Sequence, residues 1–187
     1  MIYLAIGLLL WILFHSMKRI FPLMRSRLSS VAGPNGSKGI IALGILISVV
    51  LIIFGYRMTG HSNIYVPPSF GTHINNLLML AAIGFLVLGH GKSRLRRYVR
   101  HPMLVGLVLW AVAHLFANGD AASVLLFGLL GIWGALLIFL INKAEPNYSI
   151  PDNLTLKGDV RWIILTLVIF SVIAYVHLWL GVNPFSS

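Results

Sequence analysis

Six apolar runs, at about residues 2–20, 39–56, 74–90, 102–117, 121–141 and 160–180, alternate with short polar stretches along the chain. A bilayer core takes roughly 20 helical residues, so each run is long enough, or nearly so, to cross it. The first is the shortest: apolar from Ile2 to Phe14, it extends through His15-Ser16-Met17 toward Phe21, with Lys18 and Arg19 snorkelling and Pro22 ending it. The pattern predicts an all-α, polytopic transmembrane helical bundle of about six spans, formed by residues 1–187 as a single domain. Without a basic n-region or a small-residue cleavage pattern, the first run is expected to stay in place as a span.

The polar stretches are asymmetric. Five Lys/Arg follow span one, between Lys18 and Lys38, where Gly33-Pro34-Asn35-Gly36 predicts a turn inside a basic loop. Five more, Lys92 to Arg100, follow span three, and Lys143, Lys157 and Arg161 follow span five. The opposite side has only Arg57. Thirteen against one puts the basic loops in the cytoplasm and both the N-terminus and the C-terminus outside, by the positive-inside rule.

Composition narrows the chemistry. With 58% hydrophobic and 10% charged residues the expected surroundings are a lipid bilayer, and the net charge of +10 is a topology signal rather than a nucleic-acid footprint. No cysteine is present, so disulfides, thiolate metal sites, iron–sulfur clusters and covalent haem attachment are excluded. Carboxylates are nearly absent from the spans, which leaves paired-acid catalysis without residues. Asp120 is expected to cap the fifth helix, and Glu145 and Asp159 to lie solvated in a cytoplasmic loop.

The most informative run is Arg100 to Asp120, one helix with Pro102 in its first turn and Asn118-Gly119-Asp120 turning it into the next span as an antiparallel neighbour. Gly106, Ala113 and Ala117 on one side, and Gly128, Gly131 and Ala135 on the other, offer matching small-residue stripes for that contact. His114 falls inside the apolar helix and needs a partner: a metal, a backbone carbonyl or another polar side chain. Trp110 stands four residues before it, as Trp11 stands before His15, so each indole shares a helical face with an imidazole. Of the other histidines, His61 and His73 are expected to be solvated or capping, His90 and His101 flank a basic loop, and His177 lies between Tyr175 and Trp179, which with Trp162 are expected as interfacial anchors.

Arg100-His101-Pro102-Met103, with Leu109-Trp110-Ala111-x-Ala113-His114-Leu115-x-Ala117-Asn118-Gly119-Asp120, resembles the signature of NnrU-type integral membrane proteins, whose plant relatives are the zeta-carotene isomerases. His15-Ser16, Leu156-Lys157-Gly158-Asp159 and His177-x-Trp179-Leu180-Gly181-Val182 extend the likeness over most of the chain. The resemblance implies a multi-pass protein of the bacterial inner (cytoplasmic) membrane, tied to nitric oxide reduction and denitrification and meeting membrane redox proteins. It further implies a b-type haem with His15 and His114 as iron ligands, lined by Trp11, Trp110, Arg100 and His101, and a haem-dependent redox or isomerase-like activity. Depth complicates that pairing: His15 and His114 are offset by roughly 12 Å along the membrane normal at 1.5 Å per residue. One haem bridges them only with its plane largely parallel to the membrane or with tilted helices; otherwise His15 pairs with His90, and His114 with His177 as the alternative ligand.

Two further readings come from other classes. Arg100-His101-Pro102-Met103 followed by Gly106 also resembles a cofactor-pocket segment of isoprenylcysteine-type membrane methyltransferases, although residues 142–159 lack the paired acids of those enzymes. A non-enzymatic assembly factor for a membrane redox complex would use the small-residue stripes for partner helices.

Overall fold

The computed structural model describes residues 1–60 and 62–186. Its regular elements are six α-helices and one short 3-10 helix: α1 (Ile2–Ser16), α2 (Pro22–Met58), α3 (Gly71–His90), the 3-10 helix Arg94–Arg97, α4 (Pro102–Ala117), α5 (Ala121–Ala144) and α6 (Leu156–Trp179). Four of them, α2, α3, α5 and α6, are long and apolar enough to cross a membrane, while α1 and α4 are shorter apolar helices. The chain divides into two compact units, residues 1–62 and 63–187.

The first unit is a helical pair. Lipid tails are as apolar as Leu, so helices associate in a bilayer through close packing rather than through the hydrophobic effect. Gly44, Ser48 and Gly55 supply the closeness on α2, buried against α1, where Leu4, Gly7 and Leu8 are buried in turn. A methyl group on Gly55 would run into the Leu4 backbone, and one on Gly44 into the Phe14 ring.

One expectation fails in this unit. Most of the basic stretch 18–38 is helical, not a loop: α2 begins at Pro22 and is interrupted only at Gly33, with φ +71° and ψ 169°. Glycine takes that left-handed conformation without a Cβ penalty, and Pro34 restarts the helix as a first-turn residue whose missing N–H was an orphan in any case. The Gly-Pro pair therefore breaks and resumes a helix rather than forming a wide turn.

In the second unit α4 packs on both α3 and α5, and α6 packs on α3. Met79 and Ile83 of α3 and Ala113 of α4 form a buried core against which Trp110 of α4 and Phe170 and Ile173 of α6 pack. The small-residue stripes are assigned differently from expectation. Gly106 faces α3, where a Cβ would meet the Ala82 carbonyl and Leu86, while Gly131 and Gly134 of α5 meet Ala111, Val108 and Leu107 of α4, and Gly128 touches nothing. Trp162 ties α6 to α3, its Nε1–H donating to the Gly84 carbonyl at 2.7 Å. Trp179 and Tyr175 are 77% and 69% exposed.

Candidate functional site

The C-terminal end of α4 is locked by its loop. Asp120 caps α5, accepting from the Ser123 N–H at 3.0 Å and the Ser123 hydroxyl at 2.6 Å, as its position before Ala121 implies. Asn118 Nδ2 donates to the His114 carbonyl at 2.9 Å. The Tyr65 hydroxyl reaches from the preceding loop to the Leu115 and Asn118 carbonyls, and the Ile64 N–H donates to the Gly119 carbonyl at 2.8 Å. Burial, and then the Asp120 charge, push the Tyr65 phenol up, so it remains a donor.

Burial also works against the Asp120 charge, but the hydroxyl of Ser123 and the N–H groups of Ser123, Asp120 and Ala122 outweigh it and hold the carboxyl below its ordinary value. A depressed carboxyl stabilises the fold fully above its unfolded pKa, and that contribution is lost as pH falls through the folded value. Asp120→Ala should accordingly cost about 1 kcal/mol near neutrality. In thermal melts of the detergent-solubilised protein, the gap between wild type and variant should persist down to about pH 5 and close below about pH 4. A gap that is independent of pH would contradict this account.

One helical turn inside that locked end lies His114. Its Nδ1 is 2.9 Å from the Trp110 carbonyl, its ring stacks on Phe127 with centroids 4.4 Å apart, and Phe127 in turn meets the Trp110 indole edge-on at 4.8 Å. A carbonyl only accepts, so in the neutral ring the proton resides on Nδ1 and Nε2 carries the lone pair. His177 of α6 repeats the arrangement, with Nδ1 2.8 Å from the Ile173 carbonyl, and it lies near enough to His114 for the two to interact electrostatically. Among the described residues neither Nε2 has a hydrogen-bond partner.

In the first unit His15 follows the same rule: Nδ1 is 3.0 Å from the Trp11 carbonyl, and the two rings stack at 4.0 Å. The Trp11 Nε1–H is buried without an acceptor among the described residues. The Trp-x-x-x-His spacing thus identifies two ring pairs that share a face, Trp11 with His15 and Trp110 with His114.

Arg100 and His101 sit at the other end of α4. Thirteen residues separate His101 from His114, about 20 Å at 1.5 Å per residue. Arg100 donates to the Glu145 carbonyl and stacks its guanidinium over the Tyr148 ring at 5.7 Å, while His101 Nε2 bonds Asn142 Oδ1 at 2.9 Å. Both residues fasten the segment after α5 to the start of α4. His73 is exposed in the first turn of α3, and His90 is exposed at that helix's end; His61 lies outside the described residues.

Sequence reasoning missed one constellation. Asp159 is not a solvated loop residue but stands in the first turn of α6, where Oδ1 accepts from the Ser93 hydroxyl at 2.8 Å and the Arg94 N–H at 2.7 Å, and Oδ2 pairs with Arg94 Nε at 2.6 Å. Thr155 caps the same turn and donates its own N–H to the Lys92 carbonyl at 2.8 Å. Gly158 makes this possible, since a Cβ there would strike the Lys92 carbonyl and the Ser93 N–H. The Lys157-Gly158-Asp159 motif is therefore a joint between α6 and the basic segment before α4.

Four apolar helices long enough to cross a bilayer, α2, α3, α5 and α6, define a polytopic helical membrane protein. The chain belongs to the NnrU family: the family model described as NnrU protein matches residues 3–184, nearly its whole length. No curated protein and no solved structure matches it.

Proposed function

We propose that the protein binds a b-type haem inside the membrane, which His114 and His177 would hold through their imidazoles. The observation that carries this reading is the pair of Nδ1–H bonds to the Trp110 and Ile173 carbonyls, which orient two neighbouring rings with their Nε2 lone pairs uncommitted. Histidines that ligate a metal almost always donate their other N–H in this way, which fixes the tautomer and the ring plane. Among the described residues no three His, Cys, Asp or Glu side chains come together, so an ion held by side chains alone finds no ligand set; a porphyrin supplies four donors and asks the protein for one or two. The residues therefore fit the group. Phe127 stacks on the ring of His114 and meets the Trp110 indole edge-on, so aromatic faces flank the imidazole. When bound, haem supplies one-electron redox chemistry or a site for a diatomic ligand.

A second reading gives the iron to His15 of the first unit, and it is favoured by the Trp11–His15 stack and by the Trp11 Nε1–H, a buried donor suited to a haem propionate. Electron paramagnetic resonance of the oxidised protein separates the two. His177→Ala should convert a low-spin ferric signal to high spin while His15→Ala leaves it low-spin; the reverse result would give the iron to His15.

The wider role follows the family resemblance: a multi-pass protein of the bacterial inner membrane, both termini outside, serving nitric oxide and denitrification redox metabolism together with membrane redox partners. The distribution of thirteen Lys/Arg against one supports the orientation. Arg100 and His101 face none of the residues around His114, so they serve this reading by fixing the start of α4.

A further inference from the structure

A cavity of about 610 Å³ opens between α3 and α6 at the end of the second unit that carries the basic segment Gly91–Arg100. Its mouth is lined by His90, Lys92, Lys157 and Arg161. Asp159, the nearest acid in sequence to Lys157 and Arg161, is committed to Arg94 and Ser93. Lys92, Lys157 and Arg161 have no side-chain hydrogen bond or ion pair among the described residues. Three unpartnered cations around one opening form an anion site in search of an anion.

Below the mouth the wall changes character. Leu165, Ile169 and Ile173 line it, continuing the four-residue stripe of Lys157 and Arg161 along one face of α6. From Arg161 to Ile173 the stripe descends about 18 Å at 1.5 Å per residue, close to the roughly 15 Å of one leaflet of a 30 Å hydrocarbon core. A small soluble anion would use the mouth and leave the apolar wall uncovered. We propose that this cleft binds one anionic phospholipid, its phosphate among Lys92, Lys157 and Arg161 and an acyl chain along Leu165, Ile169 and Ile173. The occupant is set by charge complementarity at one end and by apolar length at the other, and it is independent of the haem reading. Trp162, which lines the cleft and is held by the Gly84 carbonyl, reports on occupancy.

The test uses the full-length protein in phosphatidylcholine nanodiscs containing a small fraction of brominated-chain lipid, either phosphatidylglycerol or phosphatidylcholine. Bromine quenches an indole on contact. Quenching that is absent from Trp162→Phe should half-saturate at a much lower fraction of phosphatidylglycerol than of phosphatidylcholine. Each basic residue near an anionic headgroup contributes about fivefold, so Lys157→Gln/Arg161→Gln should erase most of the preference, while Lys157→Arg/Arg161→Lys keeps it. Should the neutral double variant fail to fold, Lys92→Gln and a salt titration of the wild type carry the test, and both should weaken the preference. Equal half-saturation by the two lipids in the wild type, a preference untouched by the neutral variants, or displacement of the lipid by inorganic phosphate would overturn the proposal.

Discussion

His114→Ala should abolish the haem absorption of the purified protein. The imidazole is held at one ring nitrogen by the Trp110 carbonyl and at one face by Phe127, so its remaining nitrogen is presented in a fixed direction. Deleting partners one bond removed from a metal typically costs 10–100-fold in affinity, and deleting the ligand itself should cost more, so retention through purification should fall by at least about a hundredfold. Added imidazole should restore part of the band by occupying the vacated volume. His73→Ala, altering an exposed residue at the start of α3, should leave the spectrum unchanged. A His114→Ala protein with normal helix content and an undiminished Soret band would remove His114 from the iron.

The second large effect is on stability and concerns Gly158. The first turn of α6 approaches the Lys92–Ser93 backbone so closely that a side chain at this position has no room, and the obstacle is main chain rather than a flexible tip. Gly158→Val must therefore push α6 away from the basic segment, stretching the Asp159 bonds to Ser93 and Arg94 and the Thr155–Lys92 bond. Overpacking of this kind typically costs 1–3 kcal/mol, and a backbone obstacle places Gly158→Val at about 3 kcal/mol. The expected outcome is a clear drop in the thermal midpoint of the solubilised protein, whereas the same substitution at Gly128, which faces open space, should change it little. Equal midpoints for the two variants would contradict the joint.

The helices were largely legible in the sequence because bilayer thickness, apolar run length and punctuation agree. Pro102 and Asn118-Gly119-Asp120 bound α4 where they stand, and Asp120 is the cap its position implies. Less was legible where spacing alone had to choose a partner. The stripe through Gly106 reads the same whether it faces α3 or α5, and only the packed structure assigns it to α3. The Trp162 bond to the Gly84 carbonyl was not legible either, because hydropathy records depth and not the carbonyl across the helix contact. Asp159 looked solvated because its partners, Ser93 and Arg94, lie more than sixty residues away; the signal in the sequence was the Gly preceding it. Within the candidate site, the Trp-x-x-x-His spacing gives the shared faces, and the rise per residue separates Arg100 and His101 from His114. Ring tautomers follow from carbonyl contacts that no spacing encodes.

The central claim is that iron is held by imidazole inside this bundle, and the absorption spectrum of the detergent-purified protein, recorded before and after dithionite, tests it most directly. The account predicts a Soret band together with visible bands that sharpen and shift on reduction, as a haem held by imidazole would give. A featureless spectrum from folded protein expressed with ample haem would contradict it and leave His114 and His177 as packing residues.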